Sequence, residues 1–237
     1  MLVAVHGSER ANQDYRDGFA QLAERSGALV LSPLFPCGIG DPDDMDNYKY
    51  IRYRDIRFDQ VLLHMVDEVR HRYGLAPLPL LMFGFSGGAH FAHRFLYLHP
   101  RQLEAVSICA PGNPTLLDLQ QRCWQGVADL EDEYGSALDI PAMGRVAIHL
   151  AVGERDVGRI PAGPATAQAA GRIDAAPAGT TRIDRLRALA ASLRAHQVPC
   201  HFEVIAGAGH ERGLLQASAA RFFQHHLGLD HEPSAAA

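Results

Sequence analysis

Five residues, Gly84-Phe85-Ser86-Gly87-Gly88, constrain this chain more than any other stretch. The apolar run from Leu78 to Phe83 before them reads as a buried strand, and Ala89 to His99 after them reads as a helix. A serine on a tight strand-to-helix turn sits in strained backbone geometry with its hydroxyl exposed above the sheet, while small flanking residues let strand and helix pass closely. Ser86 is therefore the candidate nucleophile. The N–H of Gly87, at the start of the helix, is the candidate first oxyanion donor, where the helix dipole also favours negative charge.

The remaining segments alternate in type. Leu2 to Val5 reads as a short buried strand, Asp14 to Arg25 as a helix, and Ala28 to Leu31 as a second strand stopped by Pro33 and Pro36. The Gly-, Pro- and Asp-rich segment 37–47 is a loop, and helical spacing returns from Asp55 to Tyr73. After the Ser86 turn come a strand over Leu103 to Cys109, a region over 113–144 read as a small helical insertion, and a strand over Arg145 to Val152. The last elements are a helix over Ile183 to His196, a strand over Cys200 to Ile205 and a helix over Leu214 to Leu227. Such alternation predicts a single α/β domain over 1–230, with a mostly parallel sheet of about six strands covered by helices on both faces. The 113–144 insertion is a candidate lid, 158–180 an Ala/Gly/Pro-rich excursion, and 231–237 a disordered tail.

Parallel sheets bind ligands at the carboxyl ends of their strands. His6, Ser86, Asp156 and His210 all fall just past predicted strand ends. A serine hydroxyl needs a base to take its proton and an acid to orient that base. Among thirteen histidines, His210 is the best base, because it follows the last strand in the pliant loop Ala206-Gly207-Ala208-Gly209. His90 and His93 lie on the helix after the serine and point into packing, while His149 and His201 lie inside strands. Asp156 is the candidate acid, with Glu154 as its fallback, and the order Ser86, Asp156, His210 suits this architecture. The backbone N–H of Ser8, in the loop after the first strand, is the candidate second oxyanion donor, and the His6 ring reads as a structural hydrogen-bonder.

With these residues in place the chain resembles the α/β-hydrolase superfamily of serine hydrolases, through His6-Gly7, the Ser86 turn, Asp156 and Gly209-His210. The stretch Gly84 to Pro100 and the phrases Tyr48-Lys49-Tyr50 and Arg57-Phe58-Asp59 are similar to small bacterial esterases related to polyester depolymerases and feruloyl esterases. The resemblance implies hydrolysis of a small or medium carboxylic ester through an acyl-enzyme, with no cofactor and no metal. Thioester, lactone and amide hydrolysis and acyl transfer use the same parts, and a non-catalytic ligand binder on this fold is the rival from another class. Members usually carry two strands before the His-Gly loop, so the sheet here is expected to be a reduced one.

Composition sets the remaining bounds. The 237 residues are 47% hydrophobic and 21% charged, enough to bury a large core. A net charge of −5 supplies no basic stripe for nucleic acid, and no apolar run reaches the length of a membrane span. The partner expected is a small-molecule ester, not nucleic acid or membrane. The opening residues lack the basic and apolar regions of a secretion signal, and the four cysteines are widely spaced, so cytoplasmic residence and free thiols are expected. For substrate binding, Arg52 and Arg57, with Lys49 and Arg54 nearby, could hold a carboxylate; the alternative is a solvated face paired with Asp55 and Asp59. Trp124 reads either as part of a lid or as core.

Overall fold

Strand β1 (Leu2–Val5) is buried along its whole length, as an unbroken apolar run is when both faces of a sheet are covered. Around it the computed structural model, which describes residues 1–160 and 179–230, builds a parallel sheet. Its strands are β1, β2 (Val30–Leu31), β5 (Leu80–Phe85), β6 (Leu103–Cys109), β7 (Ala147–Gly153) and β8 (His201–Ile205), in the spatial order β2-β1-β5-β6-β7-β8. Every pairing among these six is parallel. The chain first moves outward from β1 to β2, then returns past β1 to β5 and continues the other way. The order therefore reverses between β1 and β5, and in open parallel sheets ligands bind at the carboxyl ends beside such a reversal.

Right-handed crossovers put the helices of opposite strand progression on opposite faces. On one face lie α1 (Asn12–Asp17), α2 (Ala20–Ser26) and the final helix α8 (Arg212–His226), joined where the Gln216 carboxamide donates to the Tyr15 carbonyl at 2.8 Å. The other face carries α3 (Phe58–Tyr73) and α4 (Gly87–Leu98), with Phe35 packed between Phe58 and Phe91 at centroid distances of 5.3 Å to each. Helix α7 (Arg182–Ala195) packs on β7 and β8, opened by a capping box between Thr181 and Asp184.

The single helix expected over Asp14 to Arg25 is two, and the break has a cause. The Gln216 side chain takes the Tyr15 carbonyl at Gly18, where a continuing helix would place its own turn. The helix expected from Asp55 begins at Phe58, because a two-stranded hairpin, β3 (Arg52–Tyr53) and β4 (Ile56–Arg57), precedes it. The serine strand runs two residues further than its apolar core suggests, through Phe85.

Region 113–144 is mostly irregular, with α5 (Leu130–Tyr134) and α6 (Ile140–Met143) as its helices. It is fastened to α4 from below. Arg94, fully buried, donates to the carbonyls of Asn113 and Lys49 and to the Thr115 hydroxyl, and its guanidinium lies over the rings of Tyr50 and Trp124. Tyr97 donates to the Thr115 carbonyl at 2.8 Å. All four cysteines are free thiols. Most of the 158–180 excursion and all of the 231–237 tail lie outside the described residues.

Candidate active site

The Ser86 turn is held by backbone contacts that exclude a Cβ. A methyl on Gly84 would stand 2.2 Å from the Gly88 carbonyl oxygen, and one on Gly88 would stand 2.1 Å from that of Val5. Both positions are closed to every larger residue, so β5, α4 and β1 meet within backbone contact. Ser86 adopts φ 54° and ψ −112°, at positive φ outside the regions L-residues favour, and its N–H donates to the Cys109 carbonyl at 2.9 Å. The strain is held by its surroundings, and the hydroxyl faces the His210 ring.

Two loops converge on it. After β7, the N–H of Arg155 donates to the Ala208 carbonyl at 2.8 Å, and a Cβ on Gly153 would meet the Gly209 carbonyl at 2.2 Å. The Asp156 and His210 loops are thus locked backbone to backbone. His210 Nδ1 lies 2.7 Å from Asp156 Oδ2, and His210 Nε2 lies 3.1 Å from Ser86 Oγ. With Nδ1–H donating to the carboxylate, Nε2 is left as the acceptor facing the Ser86 hydroxyl. The Phe85 ring backs the imidazole at 4.7 Å between centroids.

Asp156 is 4% exposed. Burial pushes its carboxyl pKa up, but the hydrogen bond and charge of His210 and the charge of Arg182 outweigh burial and hold it below the ordinary value. Arg182, the first residue of α7, donates from Nη1 to Asp156 Oδ1 at 2.9 Å. Glu154, the fallback acid, is exposed and accepts from the Gly207 N–H at 2.8 Å, which makes it a tie between the two loops.

The Ser8 and Gly87 N–H groups neighbour each other: a Cβ on Gly87 would lie 3.2 Å from Ser8 N. Among the described residues neither N–H has an acceptor. The loop carrying Ser8 is braced on every side. The Tyr15 hydroxyl accepts from the Gly7 N–H at 2.8 Å and donates to Glu9 at 2.6 Å, while the Tyr48 hydroxyl donates to the His6 carbonyl at 2.9 Å. The His6 ring accepts from the Phe35 N–H at 3.0 Å, and burial pushes its pKa down. It is a structural hydrogen-bonder in its geometry.

The residues nominated for substrate binding are engaged elsewhere. Arg52 pairs with Glu133 at 3.6 Å and stacks on Tyr134; Arg57 grips Asp59 with two nitrogens at 2.7 and 2.9 Å and stacks on the same ring. Trp124 is buried against Tyr134 and Arg94. Lys49 is the basic residue of that group beside the crevice: its Cε lies 2.8 Å from where a Gly87 Cβ would be, and its ammonium pairs with Asp46. His90 and His93 are buried acceptors for the N–H groups of Gly112, Asn113 and Thr115. No group of three metal-ligating side chains adjoins Ser86 among the described residues.

Sequence reasoning missed Arg182, Phe85 and the two bracing tyrosines. Phe85 was legible as the residue before the serine. Arg182 carried no signal, since it is 26 positions from Asp156 and follows an Ala/Gly/Pro-rich stretch without periodicity.

The whole chain superposes on solved structures. A poly(3-hydroxybutyrate) depolymerase from Bordetella parapertussis matches with a TM-score of 0.71 at 22% identity, over 99% of this chain and 80% of that one. The chain has the α/β-hydrolase fold. A second match is a poly(aspartic acid) hydrolase from Sphingomonas sp. KT-1, with a TM-score of 0.70 at 20% identity over 93% and 86% of the two chains. A ferulic acid esterase gives 0.63 at 13% identity over 96% and 84%. No family model and no curated protein matches the sequence. Among the described residues of this α/β-hydrolase fold, no helix is long and apolar enough to cross a membrane.

Proposed function

We propose that the chain is a serine hydrolase that cleaves a small or medium carboxylic ester through an acyl-enzyme. The observation that carries this reading is the unbroken hydrogen-bond chain from Asp156 through His210 to Ser86. Ser86 Oγ attacks the ester carbonyl as His210 Nε2 takes its proton. Asp156 stabilises the imidazolium that forms, and the N–H groups of Gly87 and Ser8 receive the oxyanion. His210 then protonates the departing alcohol. Water, deprotonated by the same imidazole, attacks the acyl-Ser86, and the second tetrahedral intermediate collapses with His210 returning that proton to Ser86 Oγ as the carboxylic acid leaves. Each step draws on this chain's own groups.

The choice of an ester is supported by the named activities of two of the matched structures, a depolymerase of a polyester and a ferulic acid esterase. A fluorophosphonate probe tests the reading: it is expected to label Ser86 stoichiometrically, with labelling abolished in Ser86→Ala and severely slowed in His210→Ala. A folded chain that binds aromatic or aliphatic esters without labelling or turning over any member of an ester panel would instead be a binder.

A further inference from the structure

Strands β7 and β8 pair with His149 directly beside His201, so both imidazoles leave the sheet on one face, and Glu203, two residues along, joins them. One nitrogen of each histidine and one oxygen of Glu203 lie within 4.8 Å of one another. His149 Nε2 and Glu203 Oε2 are 3.2 Å apart, close to the edge of about 3.3 Å that a tetrahedron with bonds near 2.0 Å requires.

The two inner ligands are already oriented. His149 Nδ1 is hydrogen-bonded to the Ser107 hydroxyl at 2.9 Å, which leaves Nε2 for the carboxylate side, and its ring stacks on Phe222 at 4.9 Å. Such fixing of the distal nitrogen is how metal-binding imidazoles are commonly held. The Ser218 hydroxyl donates to Glu203. His201 is exposed, its ring makes no hydrogen bond among the described residues and stacks on His149 at 5.6 Å, and it can rotate to close the set. Strand β8 is the sheet edge, so an ion has a path in from solvent.

We propose that His149, His201 and Glu203 form a site for a divalent transition ion of the Zn²⁺ type, with water completing the tetrahedron. Two imidazoles and one carboxylate suit Zn²⁺, Ni²⁺ or Cu²⁺ and not Mg²⁺ or Ca²⁺, which take oxygen sets. The positive charge of Arg221 acts on both His149 and Glu203 and repels any cation there, so the bonds from nitrogen and oxygen must outweigh it. His149 is four residues short of the end of β7, roughly 13 Å along the strand. The site is thus separate from the catalytic crevice, and it would fasten the edge strand that leads into the His210 loop.

Isothermal titration of the full chain with Zn²⁺ tests this. One equivalent is expected to bind, with a matching rise in Tm. His201→Ala and Glu203→Gln should each weaken binding by more than about tenfold, a loss usual even for an outer-shell partner. His210→Ala should bind Zn²⁺ as the parent does. Both ligand variants are exposed or half-exposed positions, and a retained parental Tm without metal shows that they fold. Absence of binding by the parent, parental affinity in both ligand variants, or loss of binding in His210→Ala would overturn the proposal.

Discussion

Arg182 Nη1 holds Asp156 Oδ1 at 2.9 Å while His210 Nδ1 holds Oδ2 at 2.7 Å, so the two oxygens of one buried carboxylate are divided between a permanent cation and an imidazole. The guanidinium fixes the carboxylate's rotation and offsets part of its charge. Arg182→Gln should lower kcat by about ten- to a hundredfold, the scale on which small misplacements of catalytic groups act. It should also move the acid limb of kcat/KM to higher pH, because Asp156, relieved of a neighbouring positive charge, stabilises imidazolium more strongly. Arg182→Lys should recover part of both effects. A pH–rate profile of the three proteins checks this, and an acid limb displaced to lower pH in the glutamine variant would contradict it.

Replacing Ser86 by Ala removes the nucleophile but none of the contacts that hold the turn, since those run through the backbone of Gly84, Gly88 and Cys109. The variant is expected to keep its circular dichroism and Tm and to lose about 10⁴- to 10⁶-fold in kcat. Turnover within about tenfold of the parent would reject the assignment.

The two carboxylates after β7 separate by their contacts. Asp156→Asn should cost about 10⁴ in kcat, the loss an amide causes in a comparable triad, because it presents the wrong partner to His210. Glu154→Gln keeps an acceptor for the Gly207 N–H and should leave kcat within about threefold of the parent, since the ordinary hydrogen bond at stake is worth only about 1 kcal/mol. Steady-state kinetics on one activated ester distinguishes them.

The sheet, its serine turn and the three strand-end loops could be read from the sequence because each follows from local chemistry: an apolar run, a small-residue turn, a strand stop. Asp156 and His210 could be nominated because their loops follow neighbouring strands, which parallel topology brings to one edge. Arg52 and Arg57 show where this reasoning weakens. Their place after the second strand suggested a substrate carboxylate, yet they stack on Tyr134, a ring more than seventy positions away. The Arg57–Asp59 pairing, by contrast, was among the alternatives legible from spacing. Arg182 and the brace of Tyr15 and Tyr48 escaped because long side chains reach across the fold to partners that no periodicity announces.

Asp59 gives a stability test independent of activity. It is wholly buried, and although burial pushes its pKa up, hydrogen bonds from His99 and Arg57 pull it far below the usual carboxylate range. A depressed folded-state pKa contributes stability above the unfolded value of about 4 and loses it as pH falls toward the folded value. Asp59→Asn should therefore destabilise the chain at pH 7 by about 3 kcal/mol, since it strands a partly buried guanidinium. Its stability should also fall less steeply than the parent's between about pH 5 and pH 2. Urea unfolding at about pH 7, 5 and 2 measures both. Equal slopes for the two proteins would place the acid sensitivity elsewhere.

Arg94 is held by carbonyls, a hydroxyl and two aromatic faces, and no carboxylate pairs with it among the described residues. A charge left unneutralised inside a protein does not stay local; it projects an electric potential through matter that mobile counterions cannot enter. Arg94 stands eight residues beyond Ser86 along α4, about 12 Å at the helical rise. The amino end of the same helix adds its own positive pole at the serine. On the proposed reading, an ester carbonyl brought to Ser86 would meet this potential before any bond forms, and the negative charge growing on its oxygen would move down a gradient that the folded chain set up in advance.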